Sequence, residues 1–142
     1  MDTPGGPPGQ TATPRDMVAT GYFAYVSHLM SRIAAVLERN EDAERFRRQS
    51  QQITEAFQKE FVTPRGRILG DTQTAYALAL GFNLLPDDKR DKAIAHLVSD
   101  IRRNGNHITT GFAGGHILPY ALSSAGRYDV NYDLLFQETC PS

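Results

Sequence analysis

The stretch 107–116, HITTGFAGGH, combines two His, two Thr and three Gly directly before an uncharged apolar segment. Glycine lets the backbone approach a bound molecule closely, while hydroxyl groups and imidazole rings donate and accept hydrogen bonds. A turn that faces only solvent needs none of these properties. We therefore expect this stretch to line a binding pocket, and its candidate contacts are His107, Thr110, Gly111, Phe112 and His116.

A second group of polar residues, Asp71, Gln73 and Tyr76, lies in LGDTQTAYALAL, a segment that carries no charge after Asp71. A carboxylate and an amide bind hydroxyl groups, and a Tyr ring adds an apolar face with a polar tip. Each residue also has a purely structural interpretation. Asp71 is a plausible helix N-cap, and the other two side chains can pack inside with their polar ends satisfied. Both interpretations stay open at this point.

The spacing of reactive residues argues against several other kinds of site. His107 and His116 have no Cys or acidic residue near them in the sequence, so neither a metal nor any other cofactor is expected. The glycines of 111–115 precede no Lys-Ser or Lys-Thr pair, so they do not form a phosphate-binding loop. Asp16 and Asp71 both lie at predicted helix starts. Nothing else in the sequence indicates that they form a catalytic carboxylate pair.

Composition narrows the class of protein. The chain has 142 residues and a net charge of −1, so neither nucleic acid nor a membrane surface is an expected partner. Residues 1–12 are rich in Pro and Gly and are predicted to be a flexible segment without the apolar region of a signal peptide. No stretch is apolar enough to span a bilayer. These features favour the cytoplasm, but they leave the location unknown.

Apolar periodicity predicts six helices, which must position the two polar groups. Their approximate spans are 14–40, 41–61, 71–82, 86–104, 116–125 and 129–139. Thr13 is the expected N-cap of the first helix, and Tyr22, Val26 and Ile33 form part of its apolar line. A short extended piece is expected at 67–69, but no run of residues alternates enough to make a sheet.

Charge alternates between successive helices. The second and fourth predicted helices carry many charged residues, whereas the first, third and fifth are almost uncharged over most of their length. We therefore expect an all-α fold of αα-hairpins in two layers, as in an α-solenoid or an α/α toroid. In a toroid, the segments that lead into the inner helices line a central pocket. Here these segments lie near 14–22, 69–76 and 107–116.

Several motifs, in the same order, resemble the helical catalytic domain of bacterial α-L-rhamnosidases, the six-hairpin glycosidase type. They are TQTAYALAL at 72–80, HITTGF-G at 107–114, LLFQETCPS at 134–142 and the region from Thr11 onward. The resemblance implies an (α/α)6 barrel of twelve helices. Residues 13–142 would form about half of that toroid.

The resemblance also implies hydrolysis of terminal α-L-rhamnosides with inversion, by a carboxylic acid and a water-activating carboxylate. In the family pattern the acid lies before this chain and the proposed base after it, so no residue here receives a catalytic role. The chain has no Trp, although the family's sugar pocket uses several, and Cys140 stands where an aromatic residue is expected. The chain is thus expected to be a piece of a rhamnosidase, with a rhamnoside and the remaining parts of the barrel as its partners.

Two alternatives stay open beside this prediction. One is a non-catalytic helical-hairpin module that binds a protein or a carbohydrate, and the other is a toroid enzyme that acts on a different sugar. Half a toroid leaves apolar helix flanks open, which predicts self-association of the isolated chain. A stand-alone module would instead unfold cooperatively as a monomer.

Overall fold

The computed structural model describes residues 13–139, which form seven helical segments. They are α1 (Arg15–Val36), α2 (Asn40–Phe61), α3 (Gln73–Gly81), α4 (Asp87–Arg103), α5 (Phe112–Gly115), α6 (Leu118–Ser124) and α7 (Tyr128–Leu135). An isolated antiparallel bridge joins Val62 to Ile68, close to the predicted extended piece. The predicted flexible segment 1–12 and Cys140 lie outside the described residues.

The long helices pair into three αα-hairpins, α1 with α2, α3 with α4, and α6 with α7. Helix α3 also contacts α1 and α6, so these three helices form an inner layer with α2, α4 and α7 behind them. The prediction of an all-α fold with hairpins in two layers is therefore confirmed. None of the helices within 13–139 is both long and apolar enough to cross a membrane.

Helix α3 is the centre of the core because it has neighbours on every side. Its residues 73–80 are all buried, and small side chains such as Ala75 and Ala79 allow close packing. Gly81 brings α3 directly against the start of α6, since a Cβ there would lie 2.3 Å from Cγ2 of Ile117. A larger residue at 81 would force the two inner helices apart.

The outer helices α2 and α4 are amphipathic. On α4, Ala93, Leu97 and Ile101 recur every four residues and are fully buried. Phe57 and Phe61 play the same part on α2. Their opposite faces carry exposed ion pairs such as Arg47 with Glu44, which contribute little to stability.

Helix α1 is only half covered within this chain. Met17, Gly21 and Ala24 are buried, whereas the opposite face is exposed. We name this face the exposed α1 stripe, and it consists of Phe23, Val26, Met30, Ile33 and Leu37. The predicted periodicity is therefore correct, but Val26 and Ile33 face away from the core of this chain.

Several predicted helix ends are wrong. Pro14, not Thr13, holds the N-cap position of α1, and its side chain makes no capping hydrogen bond. Thr72, not Asp71, is the N-cap of α3, and its hydroxyl accepts a hydrogen bond from the N–H of Ala75 at 3.1 Å. Asp71 has a left-handed φ of 46°, whereas an N-cap residue is normally extended.

The C-terminal part of the chain also differs from the prediction. A single helical turn, α5, replaces the middle of the expected loop, because the N–H groups of Gly114 and Gly115 both bond to the carbonyl of Gly111. Helix α6 then begins two residues later than predicted. Helix α7 ends at Leu135 rather than near Thr139.

Candidate functional site

The segments that lead into the inner helices meet at one end of the molecule. The hydroxyl oxygens of Thr13 and Thr72 lie 2.6 Å apart, which joins the start of α1 to the start of α3. The hydroxyl of Tyr22 donates to the carbonyl of Ala113 at 2.9 Å, which joins α1 to α5. The predicted convergence of these three segments is thus observed, and we call the place where they meet the junction.

Gln73 fastens the loop before α5 to the first turn of α3. Its Nε2 donates to the carbonyl of His107 at 3.1 Å, and its Oε1 accepts from the N–H of Thr109 at 3.0 Å. These bonds bridge 34 and 36 positions of sequence. The side chain of Gln73 is completely buried, so both halves of its amide are used inside the protein.

Glycine allows the second half of the loop to lie against α3. A Cβ on Gly114 would stand 3.1 Å from Cα, Cγ2 and Oγ1 of Thr74, which is closer than ordinary packing allows. By contrast, a Cβ on Gly111 would meet no atom within 4 Å. Gly114 therefore serves the packing of α5, whereas Gly111 leaves space in front of the loop.

Asp71 is held at the rim of the junction by two neighbours. The hydroxyl of Tyr76 donates to its Oδ1, and Nη1 of Arg67 donates to its Oδ2 at 2.7 Å. Burial, followed by the hydrogen bond and the charge of Asp71, raises the pKa of Tyr76 above its ordinary value. Tyr76 therefore stays protonated and remains a donor, while the half-exposed carboxylate keeps a fixed orientation.

His107 is tied to the C-terminal segment. Its Nε2 lies 3.1 Å from the hydroxyl oxygen of Thr139, which in turn donates to Oε1 of Gln137 at 2.8 Å. Since that hydroxyl proton is already used, the hydroxyl oxygen can only accept a hydrogen bond from Nε2. Nδ1 is buried and finds no hydrogen-bond partner among the described residues. The same is true of Oδ1 of Asn106 and Oγ1 of Thr110.

The eight predicted site residues differ in burial: Asp71 is exposed, and His107 and Thr110 are partly buried. Gly111, Phe112 and His116 are exposed on the outer side of the junction, and the ring of Phe112 is fully open to solvent. Gln73 and Tyr76 lie behind them, fully buried with satisfied polar ends, which is their structural interpretation. The proposed contact of each predicted residue with a ligand stays a prediction.

Sequence reasoning missed three residues that build the junction. Thr13 was predicted as a helix cap and Tyr22 as part of an apolar line, and Thr72 received no role of its own, although Tyr22 and Thr72 lie in the predicted pocket-lining segments. Their partners are distant in sequence, so no local pattern could indicate these contacts. Among residues 13–139, no three His, Asp or Glu side chains stand close enough together to hold a metal ion.

Comparison with known proteins assigns this chain to a family. A sequence model of the family described as bacterial alpha-L-rhamnosidase 6 hairpin glycosidase domain matches residues 2–142. The chain belongs to this family. The resemblance seen in the sequence motifs is confirmed, and the three hairpins of this rhamnosidase-family chain make up about half of an (α/α)6 toroid.

Individual relatives agree with this assignment. An α-L-rhamnosidase of Streptomyces avermitilis is 42% identical over 130 residues, which cover 92% of this chain and 12% of the relative. An α-L-rhamnosidase of Alteromonas sp. is 38% identical over 128 residues, which cover 89% of this chain and 14% of the relative. The chain thus spans only a small part of the curated α-L-rhamnosidases it matches.

Solved structures of the family show the same fold. The native α-L-rhamnosidase of Aspergillus terreus superposes with a TM-score of 0.93 at 33% identity, over 98% of this chain and 17% of that one. The Streptomyces avermitilis enzyme, solved as a complex with L-rhamnose, superposes with a TM-score of 0.88 at 42% identity, over 92% and 12% of the two chains. All of these relatives are glycoside hydrolases by name.

Proposed function

We propose that this chain is a section of the catalytic domain of an inverting glycoside hydrolase that releases terminal α-L-rhamnose from rhamnosides. The section supplies inner helices and pocket loops. The general acid and general base are expected from parts of the full-length protein outside this chain. The observation that carries the proposal is the junction, where Gln73 holds the loop at 107–109 against the start of α3.

The outer side of the junction has the chemistry that a sugar needs. A pyranose ring presents hydroxyl groups at its edge and C–H groups on its faces, so it binds next to fixed polar groups and an aromatic ring. The oriented carboxylate of Asp71 and the exposed imidazole of His116 are such polar groups. The fully exposed ring of Phe112 offers an apolar surface on the same loop as His116.

We also propose that the remaining hairpins of the barrel cover both flanks of this section. The exposed α1 stripe lies on one flank, with side chains between 39% and 63% exposed. On α7, the exposed rings of Tyr132 and Phe136 stack with centroids 6.0 Å apart. Apolar faces of this extent are normally covered by another part of the protein.

Hydrolysis by the full-length protein that contains this chain tests the proposal. We expect turnover of p-nitrophenyl α-L-rhamnopyranoside and none of the matched β-D-glucopyranoside, with β-L-rhamnose as the first anomer seen by proton NMR. Turnover of another glycoside alone would favour a toroid enzyme for a different sugar. Binding without turnover of any glycoside would favour the non-catalytic module instead.

A further inference from the structure

The amide of Gln73 pairs with the loop as a strand would. In a parallel pair, the N–H and the C=O of one residue bond to the carbonyl before a residue of the other strand and to the N–H after it. Gln73 does this around Ile108, because its amide bonds to the carbonyl of His107 and the N–H of Thr109. One side chain thus gives an extended loop the two-point attachment that a neighbouring strand normally provides.

The loop itself is poorly satisfied around this attachment. Buried polar atoms of Asn106, His107 and Thr110 find no hydrogen-bond partner among the described residues. Unpaired buried polar atoms are unfavourable, and water, a bound ligand or another part of the protein can pair with them. The buried amide of Gln73 holds the backbone of this loop at two points beside these atoms.

We propose that Gln73 is a positioning residue that sets the loop 107–112 in its ligand-binding geometry. It acts through the backbone and does not touch the sugar. Holding the loop in advance lowers the entropy that ligand binding would otherwise cost, so the exposed Phe112 meets the substrate in place. This inference rests on the proposed function, because it concerns the same site.

Two substitutions in the full-length protein separate positioning from simple stability. Gln73→Met keeps the length and volume of the side chain without its hydrogen-bonding groups, and Gln73→Asn keeps the amide but shortens its reach. We expect both to raise KM for the rhamnoside roughly tenfold or more, with a smaller change in kcat. Phe57→Leu is the matched control, since it weakens a fully buried contact of the outer helix α2. It should reduce the folded fraction and leave KM unchanged.

Hydrogen exchange at the Thr109 amide, measured on the same proteins, reports on the loop directly. Faster exchange in both Gln73 variants, together with the raised KM, would support the inference. Faster exchange with an unchanged KM, or unchanged exchange, would overturn it while leaving the proposed function intact. A wild-type protein inactive on rhamnosides would defeat the proposed function, and exchange across 107–112 would then decide alone whether Gln73 sets the loop. If Gln73→Met does not fold, Gln73→Asn provides the same comparison.

Discussion

The hydroxyl of Tyr76, inside the core, donates a hydrogen bond to Oδ1 of Asp71 at the rim of the junction. Nη1 of Arg67 donates to the other carboxylate oxygen at 2.7 Å, so both oxygens of the Asp71 carboxylate are hydrogen-bonded. These two bonds explain why Asp71 adopts a left-handed φ of 46° and leaves the N-cap position to Thr72. Asp is one of the few residues other than Gly that tolerate this conformation.

Tyr76→Phe should lower the free energy of unfolding of the helical domain by about 1–2 kcal/mol, because it deletes a hydrogen bond to a half-exposed carboxylate. Burial, and then the bond to Asp71, raise the pKa of Tyr76 above 10.0. A raised pKa means that the stabilisation is complete below about pH 10 and is lost as the pH rises further. Calorimetry of both proteins should therefore give a constant difference at neutral pH that shrinks in alkali. A difference that grows there would contradict this account.

Thr72 has two tasks, since its hydroxyl caps α3 and contacts the hydroxyl of Thr13. We expect Thr72→Ala to cost about 1–2 kcal/mol of stability, in the range measured for lost N-caps. Thr72→Ser keeps the hydroxyl and should lose much less. Thermal unfolding of the two variants measures the difference, and equal losses would show that the hydroxyl does not matter.

Gly114→Ala should destabilise the packing of α5 on α3 by about 1–3 kcal/mol, because the added methyl group would crowd Thr74. Gly111→Ala is the matched control for stability, since a Cβ there meets nothing within 4 Å. That change should stay within about 0.5 kcal/mol of the wild type. Melting temperatures of the two variants measure this difference in stability. A larger loss in Gly111→Ala than in Gly114→Ala would contradict the prediction.

The two helical layers could be predicted from the sequence more accurately than the side-chain contacts of the junction. The alternation of charged and uncharged helices was enough to predict two layers, because burial of whole helices leaves a strong signal in composition. The two hydrogen bonds of Gln73 to His107 and Thr109 left no such signal in the sequence. An amide in an apolar segment is equally compatible with a sugar contact and with a buried structural role. Helix starts failed for a similar reason. Thr13 and Asp71 are good capping residues by type, but Pro14 and Thr72 hold the cap positions, and Asp71 bonds to Arg67 and Tyr76 instead.

The open flank of α1 predicts how the isolated chain behaves in solution. The 142-residue chain alone should self-associate, because the exposed α1 stripe remains uncovered. Val26→Glu combined with Ile33→Glu should shift it toward monomer in analytical ultracentrifugation. The matched control is Gln51→Glu combined with Gln52→Glu, at two exposed positions of α2. It adds the same charge and should not change the self-association. A monomeric wild-type chain with a cooperative melt would instead indicate a stand-alone module.

The most direct test of the account is hydrogen exchange of the full-length protein during titration with L-rhamnose. If the junction lines the sugar pocket, exchange should slow at 71–76 and 107–112 by roughly threefold or more at saturation, because bound ligand limits local opening. D-Glucose at the same concentration should leave both segments unchanged. Saturable binding of L-rhamnose that protects other parts of the protein and neither of these segments would contradict the claim that this chain supplies pocket loops.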